Sequence, residues 1–172
     1  TIVLYGQFLF NAMYMGFSMG VAPIISYNHG SYNTGLLQRI FKICVGFISV
    51  SSIIVTLAAL ISSPFIVEIF TPRETDTYTI AKTGFFLFSF NYIFAGLNIF
   101  SSSLFTAFSD GKISAIISFV RTFVLIVINI LVLPLILGVN GIWLSVPIAE
   151  CMTVFLSGYF IWKKRHCYHY FK

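Results

Sequence analysis

Long apolar runs separated by short polar breaks organise this chain. Five runs, 2–25, 43–61, 85–108, 113–137 and 139–162, reach the roughly 20 mostly apolar residues that a helix needs to cross a bilayer. A membrane-barrel strand would instead show about ten residues of strict alternation. Lipid satisfies no backbone polar group, so runs of this length close their hydrogen bonds within helices. The expected fold is all-α and integral to the membrane, with five transmembrane helices.

The breaks orient those helices. Residues 27–42 hold Asn28, His29, Gly30, Asn33, Gly35, Arg39 and Lys42 and read as a polar loop. Residues 62–84 carry Glu68, Arg73, Glu74, Asp76 and Lys82 and are near neutral. Their amphipathic part, 63–70, either continues the second helix or lies in the interface. Ser109-Asp110-Gly111-Lys112 and residues 138–141 read as tight turns, which makes the third to fifth helices antiparallel neighbours. The tail 163–172 is basic, with Lys163, Lys164, Arg165 and Lys172. Lys and Arg concentrate on the cytoplasmic side of membrane proteins. A cytoplasmic tail puts 27–42 and 109–112 inside as well, and 62–84, 138–141 and Thr1 outside. Arg39, Lys42 and Lys112 then join the tail inside, and Arg73 and Lys82 fall outside. An outside Thr1 at the head of a span implies a preceding span, so the chain reads as a fragment of a longer protein. Trp143, Tyr159, Trp162, Tyr168 and Tyr170 fall near span ends, where amphipathic rings are favoured.

Composition supports this reading and removes others. The chain is 58% hydrophobic and 9% charged, against roughly 25% charged in a soluble domain. The net charge of +5 reports loop asymmetry, and no nucleic-acid partner is expected. Cys44, Cys151 and Cys167 lack metal-ligand spacing and read as free thiols. His29, His166 and His169 have no Cys or acid at ligand spacing, and Gly111-Lys112 lacks the Gly-rich loop that cradles phosphate. No cofactor, metal or catalytic activity is expected.

Polar residues inside the runs fall on stripes at 100° per residue. Gln7, Asn11, Tyr14 and Ser18 share a face of the first helix. Asn91, Asn98 and Ser102 share one on the third. Ser114, Ser118, Arg121, Thr122 and Asn129 form a broader stripe on the fourth, and Glu150, Thr153 and Ser157 one on the fifth. Such stripes are either interhelical hydrogen-bond seams or walls of a water-filled cavity. Glu150 lies roughly 16 Å into its helix from the outside, and Arg121 roughly 13 Å from the inside. Their depths match across a tight turn. They either pair across these helices, or Glu150 exchanges a proton in a cavity, or Arg121 snorkels to the surface and leaves Glu150 alone. Pro23, Pro134 and Pro147 interrupt the spans and mark bends.

Gly20-Val-Ala-Pro23-Ile-Ile-Ser-Tyr-Asn28-His-Gly30-Ser, followed by Arg39, resembles the loop signature of the MATE family of multidrug and toxic-compound extrusion transporters. Ile66-Val-Glu68-Ile-Phe70, the run from Ser103 to Lys112, Ile117-Ser-Phe-Val-Arg121-Thr and Gly141-Ile-Trp143-Leu-Ser-Val-Pro147-Ile-Ala-Glu150 follow in the family's order. The resemblance covers nearly the whole chain and is nearest the bacterial multidrug branch. It implies helices eight to twelve of a twelve-helix protein. That is a partial six-helix C-terminal lobe, with its N-terminus outside, its C-terminus cytoplasmic and an N-terminal lobe beyond the chain. It further implies multi-pass residence in the plasma membrane, lipid as surroundings, and antiport of cationic amphipathic drugs against H⁺ or Na⁺ by alternating access. Some branches have an ion-carrying acid on the tenth helix. Here that helix offers only Asn91 and Asn98. The cavity and ion-coupling candidates are Glu150, Arg121, Asn91, Asn98, Asn11 and Asn129, with Met13, Met15 and Met19 as adaptable wall residues.

Two other functions remain open. A lipid-linked sugar flippase of the same superfamily would show a basic central cavity. A non-transport membrane protein, such as a sensor or assembly factor, would show no dependence on an ion gradient.

Overall fold

The computed structural model describes residues 2–73 and 75–170, and all its regular elements are helical. They are α1 (Ile2–Gly30), α2 (Thr34–Phe70), α3 (Asp76–Ser89), α4 (Asn91–Ala107), α5 (Gly111–Phe119), a π-helical turn (Val120–Leu125), α6 (Ile126–Leu137) and α7 (Val139–Tyr168). Thr1, Glu74 and Lys172, which enter the charge argument, lie outside the described residues. Among the described residues, four continuous helical runs are long and apolar enough to cross a membrane, and five when the bent α3–α4 pair counts as one. Their lipid-compatible surface is plain on α6, where Leu131, Leu135 and Ile136 point outward and Leu135 is 86% exposed.

The helices run well past the apolar spans. The expected loop 27–42 shrinks to residues 31–33. Asn33 caps α2 by accepting from the Leu36 N–H at 3.2 Å, and Tyr32 takes a left-handed backbone, φ 55°. Arg39 and Lys42 therefore sit on the first turns of α2. That helix continues through 63–70 despite Pro64. Its 37 residues make it roughly 55 Å long, beyond any hydrocarbon core. The expected loop 62–84 is likewise reduced to 71–75, where Arg73 pairs with Glu68 at 2.6 Å on the surface. Such an exposed pair adds little stability.

The expected third helix, 85–108, is two helices bent by 42° at Phe90. No proline lies there. The Ser89 hydroxyl donates to the Phe85 carbonyl at 2.7 Å inside the core, and the same bond at Ser101, Ser145 and Thr153 leaves its helix unbroken. The fourth span is continuous but loosened by the π turn. At the α6–α7 junction Gly138 has φ 58° and ψ −139°, a conformation that excludes side chains. Gly141 then lets α7 close onto α6. A Cβ there would stand 2.3 Å from the Leu133 carbonyl oxygen.

α4 is the central helix and packs against α1, α2, α5 and α7. Its two ends meet two apolar clusters. Ile25, Phe41, Ile48, Phe100, Phe105 and Tyr170 belong to one, and Val55, Val67, Phe85, Phe88 and Tyr92 to the other. Between them the polar stripes converge.

Candidate functional site

A cavity of about 760 Å³ opens between α1, α4, the α5–π–α6 helix and α7. α1 presents Gln7, Asn11, Met15, Ser18, Met19 and Pro23 to it, positions three or four residues apart and hence on one helical face. Tyr14, expected on the same stripe, turns inward and is 1% exposed. Met13 is exposed away from the cavity. Pro23 has no N–H to return to the carbonyl one turn earlier, so the wall also holds a loosened stretch of backbone. A smaller recess of about 550 Å³ runs along α1 past Gln7, Asn11, Met15 and Met19.

Arg121 and Glu150 meet at the far wall. Arg121 Nε donates to Glu150 Oε1 at 2.7 Å. Asn98 Nδ2 donates to Glu150 Oε2 at 2.7 Å and to the Glu150 carbonyl at 2.8 Å. Ser157 Oγ in turn donates to Asn98 Oδ1 at 3.2 Å. Each link orders the next, and every polar atom of Asn98 is used or occupied. Of the sequence alternatives, the structure therefore shows the paired arrangement. Arg121 does not snorkel. The π turn that carries it places an extra residue in the helical repeat.

The same wall holds a chain of hydroxyls. Ser102 Oγ lies 2.9 Å from Ser114 Oγ and 2.7 Å from Ser118 Oγ, and Thr106 Oγ1 lies 2.8 Å from Ser114 Oγ. The stripes are therefore both seam and wall. Asn98, Ser114, Thr153 and Ser157 face helix contacts, while Gln7, Asn11, Ser18, Ser118, Arg121 and Glu150 line the space.

Asn91 and Asn129, expected among the cavity residues, are not part of it. Asn91 is fully buried at the start of α4, roughly 10 Å along the axis from Asn98, beside the bend at Phe90. Among the described residues neither of its amide atoms has a partner. Asn129 is displaced by the π turn. Counting at 100° per residue kept it on the Arg121 stripe, but an inserted residue shifts the phase of everything that follows. It is buried, and its Nδ2 has no partner among the described residues.

The loop-signature residues serve the end of the bundle. Asn28 is buried and donates from Nδ2 to the Ile24 carbonyl at 2.8 Å, and Gly30 ends α1. Arg39 is exposed. Beside them the chain after α7 folds back. Gln38 Nε2 donates to the His169 carbonyl at 3.1 Å, Tyr168 stacks on Phe108 and meets His29 edge-on, and Tyr170 is 0% exposed. Tyr168 and Tyr170 are thus not free interfacial rings. The pattern of aromatic positions near a span end did not distinguish the two roles. Tyr168 Oη also donates to Asp110 Oδ2 at 2.7 Å. That bond, the Ile113 N–H and Lys164 hold the Asp110 carboxyl below its ordinary value. All three cysteines are free thiols. Among the described residues no cluster of His, Cys, Asp and Glu could hold a metal ion.

Comparison with known proteins places this arrangement. The MatE family model matches residues 2–135. A crystal structure of the Vibrio cholerae MATE transporter VcmN, in its bent form, superimposes on the whole chain with a TM-score of 0.80 at 15% identity. The chain spans 41% of that transporter's length. No curated protein sequence matches it.

Proposed function

Because this chain belongs to the MatE family, we propose that it forms one lobe of a secondary active transporter, a multi-pass protein of the plasma membrane that exports cationic amphipathic compounds against H⁺ or Na⁺ by alternating access. The observation that carries the reading is the cavity of about 760 Å³ with two kinds of wall. Met15, Met19, Ile99 and Ile126 offer apolar, adaptable surface, and the Arg121–Glu150 cluster and its hydroxyls offer a few fixed polar groups. Promiscuous binding sites combine these features. A second lobe would close the open side of the cavity, in keeping with the chain's 41% share of the VcmN length. The orientation follows the charge asymmetry. The turn 31–33, the Asp110 turn and the basic tail meet at one end of the bundle, which we assign to the cytoplasm.

The test is efflux of an ethidium-like cation from cells that express the full-length protein, with the proton and sodium gradients collapsed in turn. Efflux that stops with one gradient supports antiport and identifies the ion. Loss of efflux in Glu150→Gln at equal expression would assign the carboxylate, or its pair with Arg121, to coupling. Unchanged efflux in that variant would move coupling to the other lobe. A well-expressed protein without gradient-dependent efflux would overturn the reading in favour of a flippase or a non-transport role. The neutralised Arg121 argues against the basic cavity that a flippase for charged lipid-linked sugars requires.

A further inference from the structure

α7 turns one face to the cavity, through Glu150, and the opposite face outward. Counted at 100° per residue from Glu150, Phe155, Tyr159, Trp162 and Lys163 fall within about 60° of that opposite direction. All four are exposed, and a second lobe closing the cavity would leave them to lipid. Glu150 is near mid-membrane. Phe155 lies roughly 8 Å further along α7, and Trp162 and Arg165 roughly 18 and 22 Å. Half the hydrocarbon core is about 15 Å, so Phe155 sits among acyl chains and Trp162 to Arg165 at headgroup level. By position alone, Lys163 and Arg165 point about 160° apart. Their contacts bring both heads to the outer face. The Arg165 guanidinium stacks on Trp162, with Cζ 4.6 Å from the ring centroid, and its Nε donates to His166 Nε2 at 3.1 Å. Lys163 Nζ donates to Tyr159 Oη at 3.1 Å. Both Nη groups of Arg165 and two N–H bonds of Lys163 remain to be given. Among the described residues neither cation pairs with a carboxylate, whereas Lys164, on the inner side, meets Asp110 at 3.7 Å.

We infer that this end of α7 is a binding site for an anionic phospholipid, its headgroup between the Arg165 guanidinium and the Lys163 ammonium and an acyl chain along Tyr159 and Phe155. A stacked guanidinium keeps its N–H edge free, and that edge matches phosphate oxygens in a two-bond fork. The ring beneath it holds the cation in place at the interface. A choline headgroup also carries a phosphate, but its own quaternary cation would meet two unpaired positive charges. A headgroup of net negative charge meets none of its own sign. A soluble anionic partner would use the two cations and leave Phe155, deep among the acyl chains, without a role. The ladder of apolar ring, amphipathic rings and cations follows the profile of a single lipid from chain to headgroup. The inference requires only that α7 cross the bilayer, so its failure would leave the transport reading as it is.

Trp162 is itself the reporter. The full-length protein is reconstituted in vesicles of phosphatidylcholine and phosphatidylglycerol, with bromine on the acyl chains of one lipid or the other. The Trp162 emission is the difference between each protein and the same protein carrying Trp162→Phe, and its quenching gives the relative association of the two lipids. Phosphatidylglycerol is expected to be preferred at least about fivefold, the value of one basic residue near a membrane surface. Lys163→Gln/Arg165→Gln, which alters only surface groups, is expected to bring the ratio to about one. Lys42→Gln/Lys112→Gln removes the same charge from other helices at the same end of the bundle and is expected to change the ratio about twofold or less. Inorganic phosphate added to vesicles of phosphatidylcholine alone is expected to leave the Trp162 emission unchanged. Equal quenching by both brominated lipids in the wild type overturns the inference, as does a preference that survives Lys163→Gln/Arg165→Gln. A control variant that loses as much preference as the site variant also overturns it, because the lipid is then drawn by the general charge of this end. A saturable response to inorganic phosphate would give the site to a free anion instead.

Discussion

Arg121 and Glu150 lie 29 residues apart in sequence, on either side of the α6–α7 turn, and meet with Nε and Oε1 2.7 Å apart. Both are largely buried, so each is the other's main source of charge compensation. Truncating one partner of a buried pair leaves an uncompensated charge and costs about 3–5 kcal/mol, whereas replacing both by apolar groups of like volume is often neutral. Glu150→Ala is expected to lower thermal stability in detergent by about 3 kcal/mol, and Arg121→Met/Glu150→Leu by less than Glu150→Ala alone. A double variant as unstable as the sum of the singles would show that the two side chains are not coupled.

Asn98 determines how Glu150 is held. Its amide donates to both the carboxylate and the backbone of Glu150 and accepts from Ser157. Asn98→Ala should cost about 2 kcal/mol, since a buried charge loses a donor, and Ser157→Ala about 1 kcal/mol. Equal effects of the two substitutions, read from thermal unfolding, would place the weight of the chain elsewhere.

At the end of the bundle, Tyr168 holds Asp110. The folded pKa of Asp110 is depressed, so its contribution is complete above the ordinary carboxylate value, near pH 4, and is lost as pH falls through the lower folded value. Tyr168→Phe is expected to destabilise the protein at neutral pH and to match the wild type once the pH has fallen below the depressed folded value and Asp110 is protonated in both. Thermal unfolding across pH reads this directly, and a deficit that does not depend on pH would refute the electrostatic part.

Gly141 is where backbone meets backbone. A methyl group there would meet the Leu133 carbonyl oxygen and carbon at 2.3 and 2.4 Å, and no side-chain rotation relieves that. Gly141→Ala is expected to cost about 1–3 kcal/mol and to splay α6 from α7. Double electron–electron distances between spin labels on those helices would widen, and an unchanged distance with unchanged stability would contradict the close approach.

Much of this protein is present in one dimension. Runs of apolar residues as long as a bilayer is thick leave the backbone no alternative to helix, so the helical fold and the five spans follow from local composition. The depths of Arg121 and Glu150 were also legible, because rise per residue is constant along a helix and a short turn cannot offset its two arms by much. What depended on distant residues was hidden. Polar residues at 27–42 and 62–84 read as loops because they are polar. Residues 27–30 extend α1, 34–42 and 62–70 extend α2 and 76–84 open α3, because packing among α1, α2, α3 and α4 outweighs their polarity. The bend at Phe90 falls in a run that has no proline to mark it. The π turn shifts the helical phase by a residue, and so takes Asn129 out of the cavity that regular counting assigned to it. Sequence alone determined which side chains are costly to bury. Only the packing of α4 against α1 and α7 decided which of them face each other and which face open space, because that choice depends on helix rotation, and helix rotation is set by neighbours.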